Sequence, residues 1–257
     1  MAGEHTSGHE HTATAPALAV DHTESVGSGV GAVLAVKHLD AAKTRLSASR
    51  GTSHGDAAAP SGEHRQLVLA MLLDTFTAVR SAGLDPIVVV SPDDDVLGAV
   101  SAAGGRPLRE TPRSAPSLNH AYAQGTAWIA AHDSGCERVL LVQADLPAAQ
   151  ARSIREVLGA AAGHQHVLVT DAGGDGTALL LRPVTDDRLP HFGVGSAAAH
   201  RHEGALELDP AHRKWPDLRT DVDTAADLDI ALTIGVGRHT RVALGYDAVA
   251  DPPSACG

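Results

Sequence analysis

The pattern of hydrophobic and polar positions divides the chain into two kinds of segment that alternate. Short aliphatic and β-branched runs, typical of buried strands, occur as VGAVLAV, PIVVVS, VLLVQ, HVLVT and ALLLRP. Longer segments with helical spacing lie between them. The clearest predicted helix runs from Glu63 to near Gly83. Its apolar residues recur every three or four positions and so share one face: Leu69, Leu72, Leu73, Phe76 and Val79.

This alternation of strands and helices predicts an α/β fold, with a mostly parallel, twisted sheet and helices on both faces. Binding loops are then expected at the carboxyl ends of the strands. We predict one domain at residues 29–237. Residues 1–28 are polar and without period, which predicts a disordered tail, and residues 238–257 are predicted as a C-terminal tail. Residues 48–62, rich in Gly, Ala, Pro and Ser, are predicted as a mobile insertion.

Composition narrows the choice of partners. The formal net charge is −11 and only 2% of residues are aromatic, which argues against nucleic acid and anionic membrane surfaces as partners. The two cysteines lie 120 positions apart, and no apolar run reaches the length of a membrane span. We therefore expect a cytoplasmic protein that binds a small molecule.

Acidic residues follow two of the predicted strands. Asp145 comes directly after VLLVQA, at the end of a central strand, and Asp221 and Asp223 are expected just past another short strand. Carboxylates converging at one sheet edge suit a hard divalent cation, which predicts a Mg²⁺ site. The alternative for all three residues is that they cap the helices that follow them.

Cationic residues follow the first predicted strand. Lys37, Lys43 and Arg45 lie in the loop after VGAVLAV, where fixed positive charge could bind a triphosphate. The alternative is that they are ordinary exposed side chains. The phosphate-binding P-loop motif is absent from the sequence, and the glycines of GSGVG precede the first strand instead of following it.

Two glycine-containing turns could bind an anion through their backbone amides. One surrounds Gly176 and Thr177, and the other contains Gly193 and Ser196 at the start of a predicted helix. Ordinary turn and helix-capping roles are equally compatible with this spacing. His200, one helical turn later, is more typical of a surface group than of a ligand.

Five segments together resemble the CofC/FbiD guanylyltransferases, which make the deazaflavin coenzyme F-420. The segments are LAVKHLDAAKTRLS, LLVQADLP, DGTALLLRP, FGVGSAAAHR and DVDTAADL, and the resemblance spans about residues 30 to 235. It implies a single-domain, Rossmann-like nucleotidyltransferase fold. It also implies transfer of GMP from GTP to phosphoenolpyruvate or 2-phospho-L-lactate, release of pyrophosphate, and delivery of the product to a downstream coenzyme-assembly transferase.

The resemblance also implies roles for individual residues. It implies that Asp145 and either Asp221 or Asp223 bind the metal. It also implies that Lys37 and Lys43 contact the triphosphate and neutralise its charge. The remaining positions contact the acceptor or the nucleoside: Thr177, Gly193 and Ser196 for the acceptor, and Asn119 for the nucleoside. No covalent nucleophile is needed, because the acceptor phosphate can itself attack the α-phosphorus of GTP.

Three other functions stay open from the sequence. The same fold could act on another acceptor, such as a sugar 1-phosphate or a molybdopterin. A haloacid-dehalogenase-like phosphatase also uses aspartates at strand ends, but its nucleophile would stand at the end of the first strand, where this chain has Lys37. A nucleotide-sensing module without turnover is the third.

Overall fold

A computed structural model describes residues 29–39, 62–113 and 117–246. The predicted tail at residues 1–28, and all of the predicted insertion except residue 62, lie outside the described residues. Lys43 and Arg45 also lie outside them.

Seven strands form one sheet in the described part of the chain, in the order β3-β2-β1-β4-β6-β5-β7. They are β1 (Val30–Ala35), β2 (Ile87–Ser91), β3 (Arg106–Arg109), β4 (Arg138–Val142), β5 (Val167–Thr170), β6 (Thr177–Pro183) and β7 (Leu206–Glu207). Strand β6 runs antiparallel to its neighbours β4 and β5, and the other neighbouring pairs are parallel. The prediction of a mostly parallel sheet is confirmed.

Helices cover both faces of this sheet. They are α1 (Gly62–Ser81), α2 (Asp94–Ala102), α3 (Leu118–His132), α4 (Ala151–Ala160), α5 (Ser196–His202), α6 (Pro216–Arg219), α7 (Ala225–Ile234) and α8 (Arg238–Ala243). Neighbouring strand residues point to opposite faces. Leu34 therefore joins a core with Phe76 of α1, whereas Val33 joins a second core with Tyr122 of α3. None of the helices in the described ranges is long and apolar enough to span a membrane.

Local sequence signals explain where two of the helices begin. The Asp93 side chain, in the acidic segment PDDD, accepts a hydrogen bond from the Asp95 amide and caps α2. Thr224 and Asp227, three positions apart, form a capping box at the start of α7.

The segment before Asp221 differs from the prediction. A short strand was expected there, but the structure has the four-residue helix α6, which begins at Pro216. Proline suits the first turn of a helix, because its fixed φ is helical and its missing N–H would have no partner there. Asp221 and Asp223 therefore lie in the connection between α6 and α7, and not at a strand end.

The prediction of a C-terminal tail from residue 238 is wrong for residues 238–243. Residues 238–243 form α8, which packs against α1. The buried carboxylate of Asp74 accepts hydrogen bonds from the amides of His239 and Thr240, at 2.9 and 2.8 Å. The polar composition of this segment predicted a tail. The helix is instead stabilised by Asp74, about 165 positions earlier in the chain.

Strand direction decides which residues meet at the carboxyl edge of the sheet. Because β6 is antiparallel to β4, its first residue, Thr177, lies at the edge where β1 and β4 end. The Gln143 side chain, directly after β4, donates to the Thr177 carbonyl at 3.0 Å. Lys37 follows β1 at the same edge, and Asp145 follows β4.

Candidate active site

Three carboxylates converge at this edge. One oxygen from each of Asp145, Asp221 and Asp223 lies within 4.8 Å of the other two, and all three residues are half-buried. The structure thus brings together the acids that the sequence analysis selected from two distant segments. Carboxylate oxygens are the preferred ligands of hard divalent cations, so the donor set fits a metal ion.

Main-chain hydrogen bonds hold the two acidic segments against each other. The Val222 amide donates to the Asp145 carbonyl at 3.1 Å. On the other side, the Leu146 amide donates to the buried hydroxyl of Thr75 on α1 at 3.1 Å. That hydroxyl is itself 3.0 Å from the Met71 carbonyl and 3.3 Å from the Ala144 carbonyl. Asp145 is therefore positioned through its neighbours on both sides.

The N-cap positions of the helices that follow these acids belong to other residues. Helix α4, which follows Asp145, begins at Ala151, with Gln150 as its N-cap. Thr224 is the N-cap of α7, and Asp227 supplies the carboxylate of that capping box. Asp145 and Asp223 are thus not the N-cap residues of α4 and α7.

A buried arginine fixes the segment that leads to Asp221. The Arg219 guanidinium donates to the carbonyl of Thr170 at 2.9 Å and to the carbonyl of Asp209 at 2.9 Å. The Ala172 amide donates to the Arg219 carbonyl at 2.8 Å, which ties the loop after β5 to the same segment. Burial lowers the pKa of Arg219, and the nearby carboxylate of Asp209 opposes that shift.

The first loop is only partly described. Lys37 is exposed two residues after β1, at the same sheet edge as the acidic cluster. Triphosphate binding by Lys37, Lys43 and Arg45 stays a prediction.

A second polar cluster lies where β6 begins. The Thr177 hydroxyl is 2.9 Å from Nδ1 of His200 and 3.1 Å from the hydroxyl of Ser196. Nε2 of His200 accepts a hydrogen bond from the His191 amide at 2.9 Å. The three side chains of Thr177, Ser196 and His200 are each only 1% exposed.

Two of the amides predicted to bind an anion have protein partners instead. The Gly176 amide donates to the Asp171 carboxylate at 2.9 Å, and the Ser196 amide donates to the Gly193 carbonyl at 3.1 Å. These two amides thus have the turn and capping roles that the sequence also allowed. The acceptor contacts assigned to Thr177, Gly193 and Ser196 stay predictions, and for Ser196 the hydroxyl is the better candidate.

Asn119 connects α3 to the glycine-containing turn before α5. Its side-chain oxygen accepts from the Phe192 amide at 2.8 Å, and its nitrogen donates to the Phe192 carbonyl at 3.1 Å. The Phe192 ring stacks on Tyr122, with centroids 4.4 Å apart, and the Tyr122 hydroxyl donates to the Val142 carbonyl at 2.8 Å. Burial first, and the charge of Asp145 second, raise the pKa of Tyr122, so this hydroxyl stays protonated. The nucleoside contact at Asn119 stays a prediction.

His200 differs from the prediction made from its sequence. A surface role was expected, yet the ring is buried, and it packs edge-on against Phe192. Burial, with a smaller contribution from His191, lowers the pKa of His200 to about 4, so the ring is neutral at pH 7. The available signal was the four-residue spacing from Ser196, which places both side chains on one face of a helix.

Solved structures with the same architecture define the fold. A structure from Desulfovibrio desulfuricans, described as a nucleotide-diphospho-sugar transferase, has a TM-score of 0.59 and 17% identity; the match covers 85% of this chain and 93% of that one. A nucleotidyl transferase from Methanothermobacter has a TM-score of 0.53 and 19% identity, covering 80% and 97%. The fold is that of the nucleotidyltransferases.

The sequence comparison identifies the family. The profile described as "Guanylyl transferase CofC like" matches residues 30–245, and the chain belongs to this family. A phosphoenolpyruvate guanylyltransferase of Nocardia farcinica is 42% identical over 218 residues, covering 84% of this chain and 90% of that protein. Proteins of the same name from Mycolicibacterium gilvum and Mycolicibacterium smegmatis are each 37% identical, covering 84% and 86% of this chain and 94% and 92% of their own lengths.

Proposed function

We propose that this protein transfers GMP from GTP to the phosphate of phosphoenolpyruvate and releases pyrophosphate, with Mg²⁺ bound at Asp145 and at Asp221 or Asp223. The observation that carries the proposal is the convergence of three carboxylates at the sheet edge where β6 begins at Thr177, whose hydroxyl lies 3.1 Å from that of Ser196. The names of the relatives at 37–42% identity support phosphoenolpyruvate as the acceptor and guanine as the base.

The chain's own residues have separate tasks in this proposal. Asp145, together with Asp221 or Asp223, would hold the cation, which supplies positive charge to the phosphates when it is bound. Lys37, together with Lys43 and Arg45, neutralises the triphosphate. Thr177, Gly193 and Ser196 bind the acceptor, which presents one phosphate and one carboxylate.

The reaction itself needs no protein nucleophile. The second pKa of a phosphate monoester is about 6, so the acceptor phosphate is largely dianionic near neutral pH. Its oxygen attacks the α-phosphorus of GTP, the new P–O bond forms, and the bond to the β-phosphate breaks with pyrophosphate as the leaving group. The protein contributes alignment and neutralisation of charge.

Other parts of the proposal concern the product. A diphosphate that joins GMP to an enol or lactyl phosphate is an activated intermediate, which suits synthesis of coenzyme F-420 in the cytoplasm and use by a downstream transferase. The comparisons do not favour a sugar phosphate or a molybdopterin as the acceptor, nor the phosphatase alternative.

Product analysis tests the proposal directly. Purified protein is incubated with Mg²⁺, GTP or ATP, and phosphoenolpyruvate, 2-phospho-L-lactate or a sugar 1-phosphate, and the product is identified by mass. We expect the guanylylated phosphoenolpyruvate together with pyrophosphate. Turnover only with another acceptor would replace the substrate assignment, and GTP binding without turnover on any acceptor would favour the sensing module.

A further inference from the structure

The buried hydroxyl pair of Thr177 and Ser196 has a hydrogen-bond arrangement that depends on one histidine. The Thr177 oxygen lies between Nδ1 of His200 and the Ser196 oxygen, at 2.9 and 3.1 Å. Within the described residues, neither hydroxyl has another hydrogen-bond partner. The two hydroxyls carry two hydrogens between them, and one of these lies between the two oxygens.

The protonation of His200 follows from its other nitrogen. The His191 amide can only donate, so Nε2 of His200 must carry a lone pair to accept that hydrogen bond at 2.9 Å. In a neutral ring the hydrogen is then on Nδ1, which donates to Thr177. The lowered pKa of His200 agrees with a neutral ring.

The tautomer determines what the hydroxyl pair can offer to a ligand. With hydrogen on Nδ1, the Thr177 oxygen accepts from His200, and one of the two hydroxyl hydrogens is left to donate elsewhere. With the opposite tautomer, Thr177 would donate to Nδ1 and Ser196 would donate to Thr177, leaving no hydrogen. An acceptor with a phosphate and a carboxylate offers only hydrogen-bond acceptors here, so it needs that remaining hydrogen.

We propose that His200 is a positioning residue for the acceptor anion, because its Nδ1–H orients the Thr177 and Ser196 hydroxyls so that one hydrogen remains for the substrate. His200 acts through the hydroxyls and does not touch the substrate. This inference rests on the proposed function, since it assigns the hydroxyl pair to acceptor binding. The turn directly before Ser196, in which Gly193 and Val194 are exposed, is the side from which we expect the acceptor to enter.

Three substitutions at this position separate the two nitrogens. His200→Asn keeps a donor near the Nδ1 position and loses the acceptor for His191. His200→Gln keeps a group near the Nε2 position and loses the donor to Thr177. His200→Phe keeps the ring and loses both hydrogen bonds. His202→Gln, on the exposed side of the same helix, is the matched control.

We expect His200→Gln and His200→Phe to raise the KM for phosphoenolpyruvate about ten- to hundredfold, the effect of losing one hydrogen bond to a charged group. His200→Asn is expected to stay within about threefold of wild type. The KM for GTP should change by less than about twofold in all variants. In a Thr177→Val background, His200→Gln should have no further effect on the KM for phosphoenolpyruvate.

A measurement on the unaltered protein makes the test independent of how the variants fold. Nitrogen-15 NMR of histidine-labelled wild type distinguishes the two ring tautomers, and we expect the Nδ1–H form with and without phosphoenolpyruvate. The Nε2–H form would overturn the inference. So would an equal loss in His200→Asn and His200→Gln, or a change in kcat and thermal stability with no change in the KM for phosphoenolpyruvate. If wild type makes no product from phosphoenolpyruvate, it is the proposed function that fails.

Discussion

At the scale of single residues, the acidic cluster places like charges close together. Asp145, Asp221 and Asp223 repel one another electrostatically. A divalent cation bound between them would neutralise this repulsion. A cluster of this kind lowers the free energy of unfolding in the absence of a cation. Such a cost is common at sites whose residues bind a ligand.

Asp145→Asn tests the central ligand. We expect turnover to fall about a hundredfold or more, because the amide cannot replace the charge that holds the cation. The thermal midpoint without metal should stay equal or rise, since one of three like charges is removed. Pyrophosphate release and thermal melting measure both effects. Asp229→Asn, on the exposed face of α7, is the control and should keep full activity; near-normal release by Asp145→Asn would contradict the metal assignment.

His200 predicts a pH dependence of stability. Its pKa is about 4 in the folded protein and about 6.5 in an unfolded chain, so between these values only the unfolded chain binds the proton. Its contribution to stability is present above about pH 6.5 and is lost as the pH falls towards 4. The charged or titratable groups that influence the ring are His191, Glu203 and Arg182.

Urea unfolding of wild type and His200→Gln between pH 7 and 4.5 measures this contribution. Wild type should lose unfolding free energy more steeply than the variant, by at most about 1.4 kcal/mol per pH unit. Parallel pH profiles for the two proteins would show that the ring is not buried in its neutral form.

At the scale of secondary-structure elements, helix α1 positions the segment around Asp145. The Thr75 hydroxyl on this helix accepts from the Leu146 amide and lies close to the Ala144 carbonyl, so it holds the main chain on both sides of Asp145. The same helix carries Asp74, which caps α8. One helix therefore supports both the acidic cluster and the C-terminal end of the described chain.

Thr75→Val keeps the shape of this side chain and removes its hydroxyl. The Leu146 amide then lacks its partner in a buried place, which should cost about 1–3 kcal/mol of unfolding free energy. We also expect the apparent affinity for Mg²⁺ to fall about tenfold or more, by analogy with other residues that orient metal ligands. Thr75→Ser should restore both properties. If Thr75→Val is less stable but binds Mg²⁺ as tightly as wild type, the helix does not position Asp145.

At the scale of the whole molecule, metal binding and folding should be coupled. The three carboxylates proposed as ligands come from the segment after β4 and the connection before α7, about 76 to 78 positions apart in the chain, and only the folded sheet brings them together. A cation that binds the folded state and not the unfolded one raises stability according to its concentration.

Thermal melting with and without Mg²⁺ measures this coupling. At a hundred times the dissociation constant, Mg²⁺ should add about 2.7 kcal/mol of unfolding free energy and raise the Tm by several degrees. NaCl at equal ionic strength is the control for screening. The rise should vanish in Asp223→Asn if Asp223 is a ligand, and a similar rise in that variant would leave Asp221 as the partner of Asp145.

The sequence by itself determined the elements and several of their ends. Strand runs such as VGAVLAV and the capping residues Asp93, Thr224 and Asp227 were predictable, because they depend on periodicity and on hydrogen bonds within a few positions. The choice of Asp145 as a site residue also follows from its place after a buried strand. The family resemblance and its five segments were likewise visible in the sequence.

Only the tertiary structure decided how distant segments meet. The antiparallel course of β6 brings Thr177 to the acidic edge, and the packing of α5 buries His200. Likewise, α8 is held by Asp74, far away in the chain. Each of these outcomes depends on contacts between segments separated by many residues. Local composition gives no information about such contacts. For this reason the polar segment that forms α8 was predicted as a tail, and the buried His200 was predicted as a surface group.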